Sequence, residues 1–300
     1  MSTQITLVGL DPGGHLGTEP LDPGFPSGRR IASLCRLSPQ DYCQQFHRVN
    51  LLQAPSRSVQ EYLDGVVRLL PDLRGKRVVA LGGKVSQYLG LPDRWWEWRV
   101  GQGFVGAASP HPSGRNRWWN DPKNVETAGK FFQSVQRACI HVEGCDGSGK
   151  STFVTSLSSI LGYPVIPTDD PPKSSGECLR RIAARLAPGI VCDRSSGLIS
   201  EMVYGPVLRH GTFLTTEEME EILLSMIGSV TFIYCRPDTL RPTVRPGEDS
   251  NHVKSVFDKL KKLQSQYDSV MGWIEDSGGR VVRYNWMEQT PEEIAKCVGS

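Results

Sequence analysis

Residues 143–152 read Glu-Gly-Cys-Asp-Gly-Ser-Gly-Lys-Ser-Thr, at the end of a predicted strand over 139–143. The pattern G-x-x-x-x-G-K-S, between a predicted strand and a predicted helix over 152–160, is typical of a phosphate-binding loop. Its glycines let backbone N–H groups point inward at phosphates, and the following helix contributes its positive N-terminus. The pattern arises by chance in about one chain of this length in a hundred. A glycine-rich turn with an incidental lysine is the alternative interpretation.

The spacing assigns a role to each residue of this P-loop. Lys150 is expected to reach the β- and γ-phosphates of ATP, and Ser151 is expected to ligate Mg²⁺. The other residues predicted to bind the nucleotide are Gly144, Asp146, Gly147, Ser148, Gly149 and Thr152. ATP and Mg²⁺ are therefore the predicted cofactors of a phosphotransferase.

A second motif narrows the kind of phosphotransferase. Residues 190–195, Ile-Val-Cys-Asp-Arg-Ser, end a predicted strand in Asp-Arg-Ser, and no apolar strand ends in the Asp-Glu of other ATPases. The P-loop and this motif together resemble the thymidylate kinase and deoxyribonucleoside kinase group, over residues 139–300. The resemblance implies a P-loop nucleotide kinase domain in which Lys150, Asp193 and Arg194 act on the transferring phosphate and its acceptor.

The same resemblance implies an acceptor site. Either Asp169 or Asp170, after the second strand of this half, is the candidate base for an acceptor hydroxyl, with a helix cap or loop carboxylate as the alternative. Further candidate acceptor contacts, unless their segment only packs a helix, are Glu201, Tyr204 and Arg209. The charge of a mobile lid would stabilise the transferring phosphoryl group. Its candidate arginines, unless they form an ordinary exposed basic loop, are Arg236, Arg241 and Arg245.

The first half of the chain resembles a different family. Residues 8–15, Val-Gly-Leu-Asp-Pro-Gly-Gly-His, and residues 109–116, Ser-Pro-His-Pro-Ser-Gly-Arg-Asn, resemble the two signature loops of the uracil-DNA glycosylase superfamily. Residues 48–52 and 78–82 resemble strand ends that lie between those loops in the superfamily. The order and spacing of the four segments extend the resemblance over residues 4–135. They imply a three-layer α/β domain with a parallel sheet.

This resemblance implies base-binding residues at the strand ends. Asp11 would position water or stabilise a cationic sugar, and His111 would hydrogen-bond a carbonyl that gains negative charge. Asn50 would read a pyrimidine edge, and Phe25 or Phe46 would stack on a flipped base. The first loop carries Gly-Gly where the best-known members carry an aromatic residue that blocks thymine, so the pocket is expected to admit 5-substituted pyrimidines. Cleavage, base binding without cleavage and a purely structural role all stay open.

The two halves carry opposite net charges. Residues 1–137 hold 17 Lys and Arg against 11 Asp and Glu, a net charge of +6, whereas residues 138–300 hold 17 against 21, a net charge of −4. In the basic half, five tryptophans alternate with arginines over 94–119, a pattern that suits phosphate contact and base stacking. DNA is therefore the predicted partner of residues 1–137. Ordinary surface charge and core-filling tryptophans are the alternative.

The succession of elements predicts two parallel-sheet α/β domains, a glycosylase-like domain over residues 1–137 and a P-loop kinase domain over residues 138–300. Eight scattered cysteines without a Cys-x-x-Cys pair favour neither disulfides nor zinc, and they indicate a reducing cytoplasm. No apolar run is long enough to span a bilayer, so no membrane partner is expected. The sequence does not indicate an oligomeric state.

The leading hypothesis is a kinase that transfers the γ-phosphoryl group of ATP to a deoxynucleotide or to a modified pyrimidine in DNA, which the first domain would present. One alternative is a DNA glycosylase that removes uracil or a modified pyrimidine and carries an accessory P-loop domain. A second alternative is a thymidylate-type nucleotide kinase tethered to a non-catalytic DNA-binding module.

Overall fold

The chain folds into two compact units, each built on one five-stranded sheet. The computed structural model describes residues 5–11, 19–56, 58–91, 94–167, 172–194, 198–209, 211–240 and 250–298. One unit consists of Met1–Arg137 with Leu224–Ser229, and the other consists of Ala138–Leu223 with Val230–Ser300. Both sheets are predominantly parallel, which confirms the predicted α/β fold class.

The sheet of the first unit places four strand ends at one edge. Its strands are β1 (Ile5–Gly9), β2 (Phe46–Asn50), β3 (Arg77–Leu81), β4 (Arg99–Val100) and β5 (Val105–Ser109). They lie in the order β2-β1-β3-β5-β4, and only β4 runs antiparallel to its neighbour. The carboxyl ends of β1, β2, β3 and β5 therefore meet at the edge where parallel sheets bind ligands.

The helices of the first unit cover this sheet. They are α1 (Pro26–Cys35), α2 (Pro39–Gln45), α3 (Val59–Leu73), α4 (Gly83–Tyr88) and α5 (Pro122–Ser134). A short 3₁₀ turn over Arg117–Asn120 precedes α5. Apolar side chains of β1, β3, α3 and α4 form one continuous core on one side of the sheet, and α1 packs against α5.

Two of the five tryptophans of the basic half are buried in this unit, and the other three are half-buried. Trp98 is 5% exposed and Trp119 is 7% exposed. The indole of Trp96 lies 4.9 Å from the ring of Phe131 and 5.7 Å from that of Trp118, measured between centroids. Core filling therefore accounts for Trp98 and Trp119, whereas base stacking by the half-buried Trp95, Trp96 and Trp118 stays a prediction.

The second unit places the P-loop at the end of its central strand. Its strands are β6 (Cys139–Glu143), β7 (Val165–Ile166), β8 (Ile190–Asp193), β9 (Thr231–Cys235) and β10 (Arg280–Tyr284). They lie in the order β10-β9-β6-β8-β7, and all of them are parallel. The strand that leads into the P-loop is thus flanked by β8 and β9, whose ends face the same edge.

The helices of the second unit are α6 (Lys150–Leu161), α7 (Ser175–Ala184), α8 (Ile199–Tyr204), α9 (Thr216–Met226), α10 (Ser250–Asp276) and α11 (Pro291–Val298). The helix α8 continues into a π-helical turn over Gly205–Arg209. Side chains of β6, β8, β9, α6 and α11 form the core. None of the helices in the described ranges is both long and apolar enough to cross a membrane.

Candidate functional site

The backbone of the P-loop has the conformation that its glycines predict. Gly144, Gly147 and Gly149 have φ angles of 142°, 78° and 83°, a region that other residues rarely adopt. A Cβ atom at Gly144 would lie 2.6 Å from the carbonyl oxygen of Cys235, so no larger residue fits there. The second unit therefore has a P-loop nucleotide-binding fold.

Two polar side chains inside the loop suit a bound phosphate. Lys150 begins α6 and is buried, with its Nζ donating to the carbonyl oxygen of Cys145 at 2.6 Å. Burial and the nearby Arg194 lower the pKa of this amine, whereas Asp146 raises it. The Ser148 hydroxyl is fully buried and has no hydrogen-bond partner within the described residues. Because an unpaired buried hydroxyl is costly, this arrangement fits a loop that closes around the phosphates of ATP.

Ser151 and Asp193 lie together beside the loop. Asp193 ends β8, which pairs with β6, and its Oδ2 atom lies 3.4 Å from the Ser151 Oγ atom. A hydroxyl and a carboxylate oxygen in contact are the ligand types that Mg²⁺ takes when it accompanies a nucleotide. The pair fits the predicted metal. The resemblance implied that Asp193 faces the acceptor and the transferring phosphate, and in the structure its carboxylate lies beside Ser151, the predicted magnesium ligand.

Asp146 anchors a second charged network in the loop. Its Oδ1 atom accepts from Arg194 Nη2 at 2.5 Å, and its Oδ2 atom accepts from the Tyr204 hydroxyl at 3.1 Å. The Arg194 guanidinium also lies over the Tyr204 ring, 5.5 Å from its centroid. Burial raises the pKa of Asp146, but Arg194 and Lys150 outweigh burial and leave the pKa lowered. The carboxylate therefore stays ionised.

Arg194 adopts a backbone conformation that is uncommon for its residue type. Its φ angle is 68°, in the left-handed region, and its backbone N–H donates to the carbonyl oxygen of Val142 at 2.9 Å. Non-glycine residues persist in this region where the surrounding structure holds them, often at functional sites. The strand end β8 thus delivers two adjacent side chains to different partners, Asp193 to Ser151 and Arg194 to Asp146.

The structure describes only some of the predicted acceptor and lid residues, and it places them in different surroundings. Tyr204 belongs to the Asp146 network. Glu201 lies on the same helix and is 2% exposed. Burial of the Cys178 thiol, together with the nearby charge of Glu201, raises the pKa of Cys178 to about 11. Arg236 follows β9 and binds Asp268 through Nε at 2.9 Å and Nη2 at 3.1 Å, and its role in a lid stays a prediction. Outside the described residues lie Asp169, Asp170, Arg241, Arg245 and the side chain of Arg209.

One aromatic contact to the loop was not predicted. The loop after β10 brings Trp286 against Gly149, where a Cβ atom would lie 3.2 Å from the indole Cδ1 atom. The Asn285 side chain orders this loop by accepting from the backbone N–H of Met287 at 3.1 Å. Because Trp286 is far from Gly149 in the sequence, no local pattern marks the contact between them. This contact therefore could not be predicted from the sequence.

The strand ends of the first unit bring together the residues that the glycosylase resemblance singles out. Asp11 follows β1, Asn50 ends β2 and His111 follows β5. The Asn50 amide lies directly over Gly9, where a Cβ atom would be 2.6 Å from the Asn50 Oδ1 atom. Asp11 is close enough to His111 for its charge to raise the pKa of the imidazole. A carboxylate, an amide and an imidazole therefore share this edge.

His111 is held as a neutral ring with a defined proton position. Its Nδ1 atom accepts from the backbone N–H of Ser113 at 3.2 Å. Burial lowers the pKa of His111 more than Asp11 raises it, so the ring is neutral at physiological pH. Since Nδ1 is the acceptor, the proton resides on Nε2, and the ring offers a hydrogen-bond donor there.

The two predicted stacking residues differ in accessibility. Phe46 is 1% exposed, with its ring centroid 5.3 Å from that of Tyr42, so it belongs to the core and cannot stack on a base. Phe25 caps the beginning of α1 and is half-buried. Of the two, only Phe25 stays a candidate.

Comparisons with known proteins yield structural likenesses only. No family model matches the chain, and no curated protein matches it. The YorR protein from Bacillus subtilis in complex with phosphorylated GDP is 20% identical, with a TM-score of 0.40, covering 53% of this chain and 92% of that chain. The NadR protein in complex with NR is 13% identical, with a TM-score of 0.39, covering 98% of this chain and 86% of that chain. NadR in complex with NAD and AMP-PNP is 15% identical with the same coverages and a TM-score of 0.33. Because these TM-scores are low, the nucleotide-binding fold is assigned here from the loop geometry.

Proposed function

We propose that the second unit is an ATP-dependent kinase. The observation that carries this proposal is the Asp146 carboxylate, held between Arg194 and Tyr204 within a loop built to bind phosphates. A negative charge in such a loop opposes nucleotide binding, so its side chain serves another group. A carboxylate near the site of transfer orients an acceptor hydroxyl and can take its proton. Asp146 therefore binds nucleotide through its backbone N–H and acceptor through its side chain.

The chain supplies the remaining requirements of phosphoryl transfer. Lys150 and Arg194 place positive charge at the loop, where it stabilises charge that develops during transfer. Ser151 and Asp193 would hold Mg²⁺. When bound, ATP supplies the γ-phosphoryl group.

The charge of Asp146 also favours one class of acceptor. A phosphate acceptor, as in nucleoside monophosphates, would be repelled by this carboxylate, whereas a hydroxyl would be bound by it. We therefore infer a hydroxyl acceptor, such as a hydroxymethyl group on a pyrimidine, ahead of a deoxynucleotide phosphate. The base would be presented in DNA by the first unit.

Transfer of labelled phosphate from ATP to a panel of acceptors tests this proposal. The panel consists of deoxynucleosides, deoxynucleoside monophosphates, and oligonucleotides that differ only in carrying thymine or 5-hydroxymethyluracil at one position. Labelling of the hydroxymethyl oligonucleotide and not of its thymine partner is expected. Labelling of monophosphates alone would support a kinase activity but would refute the inference that the acceptor is a hydroxyl group. No transfer to any acceptor would overturn the kinase itself.

A specific observation favours a base-binding function for the first unit. Asp11, Asn50 and a neutral His111 meet at the carboxyl edge of its sheet. A neutral Nε2–H donor and an amide suit a pyrimidine, which offers carbonyl oxygens and an N–H group on its edge. Binding without cleavage is the version we favour, because a cleaving pocket that admits thymine would damage normal DNA.

The variant Asp11→Asn separates the possible roles of this site. If the unit cleaves, base release is lost with the variant, since an amide neither activates water nor stabilises a sugar cation. If it presents a base, phosphorylation of an oligonucleotide falls and phosphorylation of a free deoxynucleoside does not change. Indifference of every activity to this variant would show that the two units act independently. Uracil release from plain oligonucleotides by the unaltered chain, lost in Asp11→Asn, would refute binding without cleavage.

A further inference from the structure

One side chain of α1 holds the loop that carries His111. Arg30 Nη1 donates to the carbonyl oxygen of Pro112 at 2.9 Å and to that of Ser113 at 3.1 Å. Its guanidinium also lies over the Trp119 indole, with the central carbon 5.3 Å from the ring centroid. Arg30 is separated from these partners by more than 80 residues in sequence. It fastens the beginning and the end of this loop at once.

The same loop is tied to His111 from inside. The Trp119 Nε1–H group donates to the His111 carbonyl oxygen at 2.7 Å, and the Asn116 amide donates to that oxygen at 3.2 Å. The Ser113 N–H group donates to the imidazole Nδ1 at 3.2 Å. The backbone of His111 is therefore fixed by the loop, and its ring is fixed by one peptide N–H.

Arg30 and the imidazole contact opposite ends of one peptide unit. The carbonyl oxygen of Pro112 and the N–H group of Ser113 belong to the same trans peptide, so they point in opposite directions. A guanidinium that holds the carbonyl oxygen directs the N–H group toward His111 Nδ1. A charged donor on the oxygen also polarises the amide and strengthens its N–H as a donor.

We propose that Arg30 is a positioning residue that keeps the His111 proton on Nε2 by orienting the peptide between Pro112 and Ser113. This inference rests on the base-binding function proposed for the first unit. An imidazole fixed in this tautomer presents a permanent N–H donor, which suits a ligand with a carbonyl oxygen. Without Arg30 the peptide is free to rotate, and the proton distributes between the two nitrogens.

The proton position of His111 can be measured directly in the full-length protein. Histidine labelled with ¹⁵N in its ring gives separate resonances for protonated and unprotonated nitrogens, and the variant His111→Asn identifies which signals belong to this ring. The test variant is Arg30→Met, which keeps the length of the side chain and removes its donors. The matched control is Arg29→Met, because Arg29 is the exposed neighbour on α1 and donates only to the Gly24 carbonyl oxygen, at 2.8 Å.

We expect the unaltered protein and Arg29→Met to show one protonated and one unprotonated ring nitrogen for His111. In Arg30→Met the difference between the two resonances should shrink, since the proton exchanges between both positions. An unchanged pair of resonances in folded Arg30→Met would overturn the proposal. If that variant does not fold, as judged by near-ultraviolet circular dichroism, Arg30→Gln takes its place. The glutamine side chain is shorter and uncharged, so it removes the charged donor from the Pro112 carbonyl oxygen. A reduced difference between the resonances then supports the proposal and an unchanged one overturns it.

The measurement needs no ligand and no turnover. A failure of the base-binding function would leave the tautomer shift intact, and a failure of the Arg30 proposal would leave the effect of Asp11→Asn on oligonucleotide phosphorylation intact. The two inferences can therefore fail separately.

Discussion

Replacement of Asp146 by asparagine separates the two roles that this residue could have in the P-loop. The amide keeps the size of the side chain and its contact with Tyr204 but removes the charge that holds Arg194. If the carboxylate orients the acceptor, kcat should fall by a factor of about 10²–10⁴, the range for a positioned proton acceptor. That range corresponds to about 3–5 kcal/mol in activation free energy. The affinity for ATP should stay the same or increase, because a negative charge near the phosphates is gone.

The variant should also lose some stability, and the structure bounds the amount. The side chains of Arg194 and Asp146 are 22% and 39% exposed, so solvent screens their interaction. Loss of the charge is therefore expected to cost about 1–2 kcal/mol of unfolding free energy, well below a fully buried pair. A loss of this size leaves the protein folded under assay conditions.

The same unit contains a matched control for that loss. Asp268 accepts from Arg236 at 2.9 Å and from the Tyr234 hydroxyl at 2.8 Å, and its pair with Arg236 is exposed to a similar degree. The variant Asp268→Asn should thus lower stability about as much as Asp146→Asn while it keeps kcat within about twofold of the unaltered protein. Urea denaturation gives the stabilities, and phosphate transfer with titration calorimetry of ATP gives kcat and affinity.

The opposite pattern would refute the reasoning. If Asp146→Asn weakened ATP binding in proportion to its loss of activity, the side chain would be a nucleotide ligand, as its position in the motif suggests. If Asp146→Asn and Asp268→Asn lowered kcat equally, a general loss of order in this unit would explain both effects.

Three further outcomes are expected. Lys150→Ala should lower phosphate transfer at least a hundredfold and leave the near-ultraviolet circular dichroism of the first unit unchanged, because this amine stabilises phosphate charge and its hydrogen bond to Cys145 lies within the second unit. His141 is fully buried, which lowers its pKa from 6.5 to about 4, so the unfolded chain takes up its proton first. Stability should therefore be lost as pH falls from 7 to 5, by about 2 kcal/mol, and urea midpoints of His141→Gln should lack this part of the loss. DNA binding should weaken with salt, and the double replacement of Arg115 and Arg117 by alanine should lower the slope of log affinity against log salt by about 2, whereas Lys130→Ala, which breaks an ion pair with Glu126, should not. Equal slopes for both would exclude the loop as a DNA contact.

Much of the fold could be predicted because periodic apolar segments and loops mark its elements. The strand at 139–143 has the predicted bounds, and β2, β3 and β8 end within the segments 48–52, 78–82 and 190–195 that were predicted to be strand ends. The P-loop begins and ends where the spacing of its glycines requires. In each case the signal is local, since a strand between turn residues or a glycine with positive φ is specified within a few residues.

Short capped helices were missed although their sequence carries a signal. The helix α2 begins after Ser38, whose side chain accepts from the Asp41 N–H at 3.1 Å, and α7 begins after Ser174, whose side chain accepts from the Glu177 N–H at 3.2 Å. Both are serine caps followed three residues later by an acidic residue. Attention to apolar periodicity alone overlooks such starts when the helix is only two or three turns long.

The partners of site residues were not predictable for a different reason. Asp146 meets Tyr204, a residue 58 positions away, only because β6 and β8 are neighbours in the sheet and α8 follows β8. Arg30 meets the His111 loop only because α1 packs against α5, the helix that follows this loop in the chain. Motifs predict which residue types occupy each site. The contacts between their side chains depend on the order of the strands in the sheet, which the motifs do not specify.

Asp146 and His111, at the two candidate sites, each keep one protonation state near neutral pH. Burial raises the pKa of Asp146, but Arg194 and Lys150 lower that pKa by a larger amount, so the carboxylate stays charged. Burial lowers the pKa of His111 more than Asp11 raises it, so the imidazole stays neutral. Neither group needs to change its protonation state near neutral pH before a ligand arrives. Fixed charges and oriented donors of this kind stabilise charge that develops on a ligand without further reorganisation. If the proposed functions hold, replacement of Arg194 or Arg30, which hold those groups, is therefore expected to impair function as replacement of the groups themselves would.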